Sequence, residues 1–186
     1  NMIHGGASAV MSAAALCCFV MPEKEFEEKT LIIEYGKTVE DISKTLVDMG
    51  YSRTPEVTGC GQFALRGGIC DVFSPAAENA YRIEFFDDEV DSIRIFDVKT
   101  QLSTENAERA VIIPADADKG SAYVTDWFGD GTLFVFDEPK RLCESAADFA
   151  ASVEEKLADK MLSGGDIKNY PIADFKKLES EMEKKT

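Results

Sequence analysis

The chain has 186 residues, and its 35 acidic against 20 basic side chains give a formal charge of −15. That balance repels a phosphate backbone and excludes a chain that grips nucleic acid by bulk electrostatics. One histidine, His4, and five cysteines (Cys17, Cys18, Cys60, Cys70, Cys143) without a C-x-x-C pair supply neither a zinc-ligand pattern nor a histidine-centred catalytic site, and point to reduced thiols in a cytosolic protein.

The first element in chain order is ASAVMSAAALCCFVM at 7 to 21. This apolar run is shorter than the ~20 residues a spanning helix needs. It also lacks a preceding Lys/Arg cluster, so it predicts a buried or half-buried helix. LIIEY at 31 to 35 reads as a strand ended by Gly36. Thr38, three residues ahead of Asp41, has the spacing of a capping arrangement with an acidic third position. Val39, Ile42, Leu46, Val47 and Met49 then recur at helical spacing up to Gly50, a left-handed stop. The pattern predicts a helix over 38–49.

From Arg53 to Pro114 the pattern switches to period two, and five or six short strands are expected, mostly joined by hairpins. In GQFALRGGICDVFSP, Phe63 and Leu65 alternate with Ala64 and Arg66, Gly67-Gly68 offers a positive-φ turn, and Ile69, Asp71 and Phe73 resume the alternation. A second hairpin at YRIEFF-DDEV-DSIRIFD sets Arg82 and Glu84 on one strand and Asp91 and Arg94 on the other. Pro55, Pro75 and Pro114 fall at the ends of these runs, as their missing N–H requires. The fold class expected is α+β, an antiparallel hairpin-rich sheet with one covering helix, flanked by α/β pieces.

Beyond Asp116 the chain turns polar and turn-rich, with a short helix expected around 121 to 128. TLFVFDEP then offers a continuous apolar strand of the kind buried on both faces. Pro139 is suited to open a helix over about 139 to 162, with Leu142, Ala146, Phe149, Val153, Leu157 and Met161 along one side. The tail from Asp166 predicts at most a frayed helix.

GYSR at 50 to 53, GQFALRGGICDVF at 61 to 73, RIEFFDDEVDSIRIFD at 82 to 97, TQLS at 100 to 103 and VIIPA at 111 to 115 together resemble the second domain of bacterial transcription-repair coupling factors. They are similar, more distantly, to the matching domain of the excinuclease subunit UvrB; FDVKTQLST is closer to the coupling-factor pattern. The resemblance implies three pieces. Residues 1–29 would be a fragment of a first, degenerate RecA-like (UvrB-like) domain, with AVMSAAALCCFVMP as the helix leading out of it; 30–115 would be the whole second domain; and 116–186 would be a second fragment of the first domain. The chain then reads as an excised portion of a longer protein.

By the same resemblance, Arg53, Arg66, Arg82 and Glu84 occupy positions that help UvrB-like second domains dock UvrA, the damage-sensing ATPase of excision repair. Arginine forks pair bidentately with carboxylates, so guanidinium groups fixed on hairpins make a specific protein-binding face. The plainer alternative is a solvated strand face whose charges pair across the sheet. Ala64 stands where UvrB has a further arginine, which leaves the face one positive charge poorer. Asp137-Glu138, after an apolar run, resembles a degenerate Walker B pair, but no G-x-x-x-x-G-K-[ST] accompanies it, and Asp137 is better suited as an N-cap for the helix that follows. Asp87-Asp88-Glu89 reads as a charged hairpin tip.

The implied function is a UvrA-binding, non-catalytic portion of a coupling factor, the alternative being the second-domain region of the ATP-dependent UvrB subunit. No cofactor or metal is expected in the chain itself. The resemblance places ATP, Mg²⁺, RNA polymerase and double-stranded DNA with other domains of the family's proteins, and it implies a cytoplasmic location without a membrane partner.

Overall fold

The computed structural model describes residues 9–117, 120–129, 131–162, 177 and 180; His4 and most of the predicted tail lie outside these. In chain order the elements are α1 (Ala13–Leu16), β1 (Phe19–Val20), α2 (Glu23–Lys29), β2 (Leu31–Glu34), α3 (Ile42–Asp48), β3 (Ser52–Arg53), β4 (Gln62–Arg66), β5 (Ile69–Val72), β6 (Ala80–Phe86), β7 (Glu89–Asp97), β8 (Leu102–Asn106), β9 (Arg109–Ile112), β10 (Ala122–Tyr123), a 3₁₀ turn (Val124–Trp127) and α4 (Pro139–Leu162). The class is α+β, as the sequence predicts. Among the described residues no helix is long and apolar enough to cross a membrane.

The chain divides into two compact units, 24–117 and a second made of 1–23 with 118–186. The first contains a six-stranded sheet in the order β3-β4-β5-β6-β7-β8, antiparallel except for the parallel β3–β4 edge. A separate ribbon pairs β2 with β9, Leu31 opposite Ile112 through Glu34 opposite Arg109. Alternation sends Phe63, Cys70, Val72, Ile83 and Ile93 to one sheet face, where they are buried with Ile33 and Ile112 of the ribbon and Leu46 of α3. This is the main core. Burial pushes the Cys70 thiol up to about 12, and Tyr51, whose hydroxyl donates to the Ile113 carbonyl at 2.7 Å, also up to about 12.

The helix ends where the glycine predicts. Gly50 sits at φ 85; its N–H donates to Val47 O and that of Tyr51 to Leu46 O, the paired bonds of a Schellman motif. Its start differs. Asp41, not Thr38, is the N-cap, in the left-handed region at φ 40, with its carboxylate accepting the Lys44 N–H at 3.0 Å. Thr38 instead bridges to Glu89, and Val39 N–H donates to Asp88 O, so the segment before α3 is drawn to the tip of the β6–β7 hairpin.

In the second unit, the predicted helix over 7–21 shortens to α1, capped by Ser12, while Phe19 and Val20 pair with Tyr123 and Ala122. Small residues let α1 and α4 approach: Ala13, Cys17 and Ala146 are buried together, with Leu16, Leu142 and Phe149 around them. The helix over 139–162 forms with the predicted bounds, but Met161 at the end of its apolar side is exposed. The buried strand expected at TLFVF does not form. Residues 132–136 pair with no described strand, Leu133 and Val135 are 75% and 81% exposed, and only Phe134 and Phe136 pack, against Phe19 and Tyr123. An apolar run registers a demand for cover on both faces, and a ladder needs neighbouring strands as well.

Candidate functional site

The site is built on the sheet face opposite the main core. Two glycines set its first hairpin: Gly67 alone takes the positive φ, 61, while Gly68 lies against β6, accepting the Phe85 N–H at 2.7 Å. The hairpin register then puts Ala64 opposite Asp71, Asp71 opposite Arg82, and Arg82 opposite Arg94. One row of four strands therefore carries an acid and two arginines on one face. The next row along brings Arg66, Ile69, Glu84 and Ser92 to the same face.

Asp71 is the hub. Its side chain is 1% exposed, and it accepts from Arg82 Nε at 2.6 Å and Arg82 Nη2 at 2.9 Å, a two-pronged fork, while Arg66 Nη2 closes on its Oδ2. Burying a carboxylate is costly unless it is paired and hydrogen-bonded, and here two guanidinium groups from two strands meet that requirement. Arg82 is itself only 16% exposed. Its guanidinium lies 4.8 Å from the Phe96 ring centroid, and Nη1 donates to Gln101 O at 3.3 Å. The bonds to Asp71 raise its already high pKa, so it is cationic at every accessible pH.

A loop secures the far side. Asp97 Oδ1 accepts the N–H groups of Thr100 and Lys99, at 2.9 and 2.7 Å, which lowers the Asp97 pKa below its ordinary value. The loop delivers Gln101 at φ 59, and its side-chain amide donates to Val57 O and Val98 O at 2.9 and 2.8 Å. At the other end of the face, Arg94 Nη2 lies 2.8 and 2.9 Å from the two oxygens of Glu84.

Of the predicted site residues, Arg66, Arg82 and Glu84 share this face. Arg53 does not join them: it is exposed on the edge strand β3, in register with Phe63, whose side chain belongs to the opposite face. Arg82 is drawn inward by Asp71 rather than displayed, which leaves Arg66, 45% exposed, as the more accessible of the pair. Sequence reasoning passed over Asp71 as a mere beat of the alternation and took Gln101 only as a letter of the TQLS motif, with no role of its own. The available signal was an acid set between Cys70 and Val72 in an otherwise apolar strand. Ala64 is buried with Val57, Ala80 and Phe96 beside the hub, so the missing arginine corresponds to a close-packed position.

Asp137 and Glu138 form no comparable centre. Residues 132–136, directly before them, form no strand, and Glu138, at φ 48, holds the position before α4: its carbonyl accepts the Leu142 N–H, and its carboxylate pairs with Arg141 at 2.8 Å on the surface. The helix cap thus falls one residue later than Asp137. Asp87, at φ 54, stands at the tip of the β6–β7 hairpin as expected.

Residues 31–117 match the model of the family described as "UvrB interaction domain". Over this segment, 87 of the 186 residues, the chain is similar to that family. Around the matched segment it is similar to proteins named transcription-repair-coupling factor: 35% identical over 119 residues to that of Bacillus subtilis strain 168, covering 62% of this chain and 10% of the relative. It is 49% identical over 99 residues to that of Staphylococcus haemolyticus, covering 52% and 8%, and 46% identical over 88 residues to that of Staphylococcus aureus strain bovine RF122, covering 47% and 7%. The chain spans at most 10% of the length of these relatives.

Proposed function

We propose that this chain is a docking module of nucleotide excision repair that binds UvrA through the sheet face carrying Arg66, Arg82 and Glu84, within a transcription-repair coupling factor. The observation that carries the reading is a row of guanidinium groups held on rigid strands by Asp71 and Glu84, inside a segment similar to the UvrB interaction domain family. A fixed fork loses little side-chain freedom when a partner carboxylate arrives, and that pre-organisation is what makes a few arginines decisive in an interface. The module itself works without catalysis or cofactor. ATP-driven translocation, and contacts to RNA polymerase and DNA, belong in this reading to other parts of the longer proteins.

The test is calorimetric titration of UvrA into the chain. Arg66→Ala is expected to weaken binding by about tenfold or more, the loss of a charged hydrogen-bonded contact in an interface. Arg53→Glu, off the shared face, is expected to change it less. Binding undiminished by Arg66→Ala would remove this face from the interface.

A further inference from the structure

Arg82 and Arg94 stand directly opposite each other in the β6–β7 ladder, an arrangement that destabilises a sheet. Each is offset by its own carboxylate, but the two pairs differ in kind. The Arg82–Asp71 pair is buried. The Arg94–Glu84 pair lies at the surface, 37% and 29% exposed, and engages only Nη2 of the arginine, which also reaches Ser92 Oγ at 3.5 Å. Among the described residues no group accepts from Arg94 Nε or Nη1. A local rule broken in a well-ordered sheet, with donors left over, marks a place where function rather than stability sets the residue.

Arg94 lines a groove of about 390 Å³ together with Ser92, Ser103, Thr104, Glu105 and Asn106. The register shift between Ile95 and Phe96 makes Thr104 an extra residue in β8, and its hydroxyl turns back to Ile95 O at 3.2 Å. Bulges of this kind re-aim side chains beside binding sites. β8 is the last strand of the sheet, so the groove opens at the sheet edge, and Asn106 lies opposite Arg94 in register. The Ser92 and Ser103 hydroxyls, the Asn106 amide and the Arg94 guanidinium suit a single carboxylate. A chain of phosphates would meet Glu84 and Glu105 on a molecule of charge −15.

We propose that Arg94 and the β7–β8 groove extend the docking face, and that the groove receives one carboxylate side chain of the partner, flanked by uncharged residues. This rests on the UvrA-docking reading and adds a specificity-determining residue to it. Arg94→Ala is expected to weaken UvrA binding by about tenfold, with Arg94→Lys recovering only part because the ammonium has no fork. The same loss should persist when Glu84→Gln is already present, and thermal melting should move little, as for any exposed pair. Wild-type affinity in Arg94→Ala, or a loss that disappears in the Glu84→Gln background, overturns the proposal, since Arg94 would then serve only to neutralise Glu84. Should the wild type show no affinity for UvrA, the docking reading fails separately and the groove is judged by NMR titration with a capped peptide carrying a single glutamate. Shifts of the Ser92 and Asn106 amides that vanish in Arg94→Ala support it; no shifts in the wild type overturn it.

Discussion

Asp71 joins stability and recognition in one side chain. Removing one member of a buried ion pair leaves the other uncompensated and typically costs ~3–5 kcal/mol. Arg82, 16% exposed and stacked on Phe96, has no alternative carboxylate among its hydrogen-bond partners. Asp71→Ala is therefore expected to lower the unfolding free energy by about 3 kcal/mol or more, read by urea denaturation, with Asp71→Asn losing less because one oxygen still accepts. A change below about 0.5 kcal/mol, the range of ordinary surface substitutions, would show that Asp71 is not the anchor of the face.

At the scale of elements, the two hairpins depend on where backbone meets backbone. A Cβ on Gly68 would stand 2.7 Å from the Phe85 carbonyl oxygen, whereas one on Gly59 meets nothing within 4 Å. Gly68→Ala is expected to cost on the order of 2 kcal/mol by forcing β5 and β6 apart, and Gly59→Ala to fall within about 0.5 kcal/mol of wild type; thermal melting of the two variants makes the comparison. The hairpins themselves were legible in the sequence, because period-two alternation and paired glycines are local signals, and so was α4, with Pro139 and a long one-sided stripe. What was not legible depended on partners distant in the chain. Thr38 lost the cap to Asp41 because a bridge to Glu89 claims it, and 132–136 stayed unpaired because composition does not reveal whether a neighbouring strand is present. For the site, the resemblance grouped Arg53, Arg66, Arg82 and Glu84, and the strand registers put three of these, Arg66, Arg82 and Glu84, on one sheet face. Only the registers of β5 with both β4 and β6 show that Asp71 closes on both arginines, and only the β3–β4 register separates Arg53 from them.

For the unit spanning 24–117 as a whole, two weak acids share the main core. Both the Cys70 thiol, ordinarily 9.0, and the Tyr51 hydroxyl, ordinarily 10.0, are pushed up to about 12 by burial. The unfolded chain releases these protons first, so the stability they confer is fully present below pH 9 and is lost as pH climbs toward 12. Stability measured by denaturant at successive pH values should fall across that window. Cys70→Ala is expected to be less stable at neutral pH yet to show a shallower alkaline decline; an unchanged slope would mean that Cys70 does not contribute to it. The β2–β9 ribbon has a different consequence. Because Leu31 lies across from Ile112, the strand that enters the module and the strand that leaves it start from the same end of one two-stranded ladder. Tension applied between those two points would load the ribbon's hydrogen bonds one after another, like a zipper, rather than all at once in shear, so mechanical force would open the module at its clasp before disturbing the hairpins that carry the arginines.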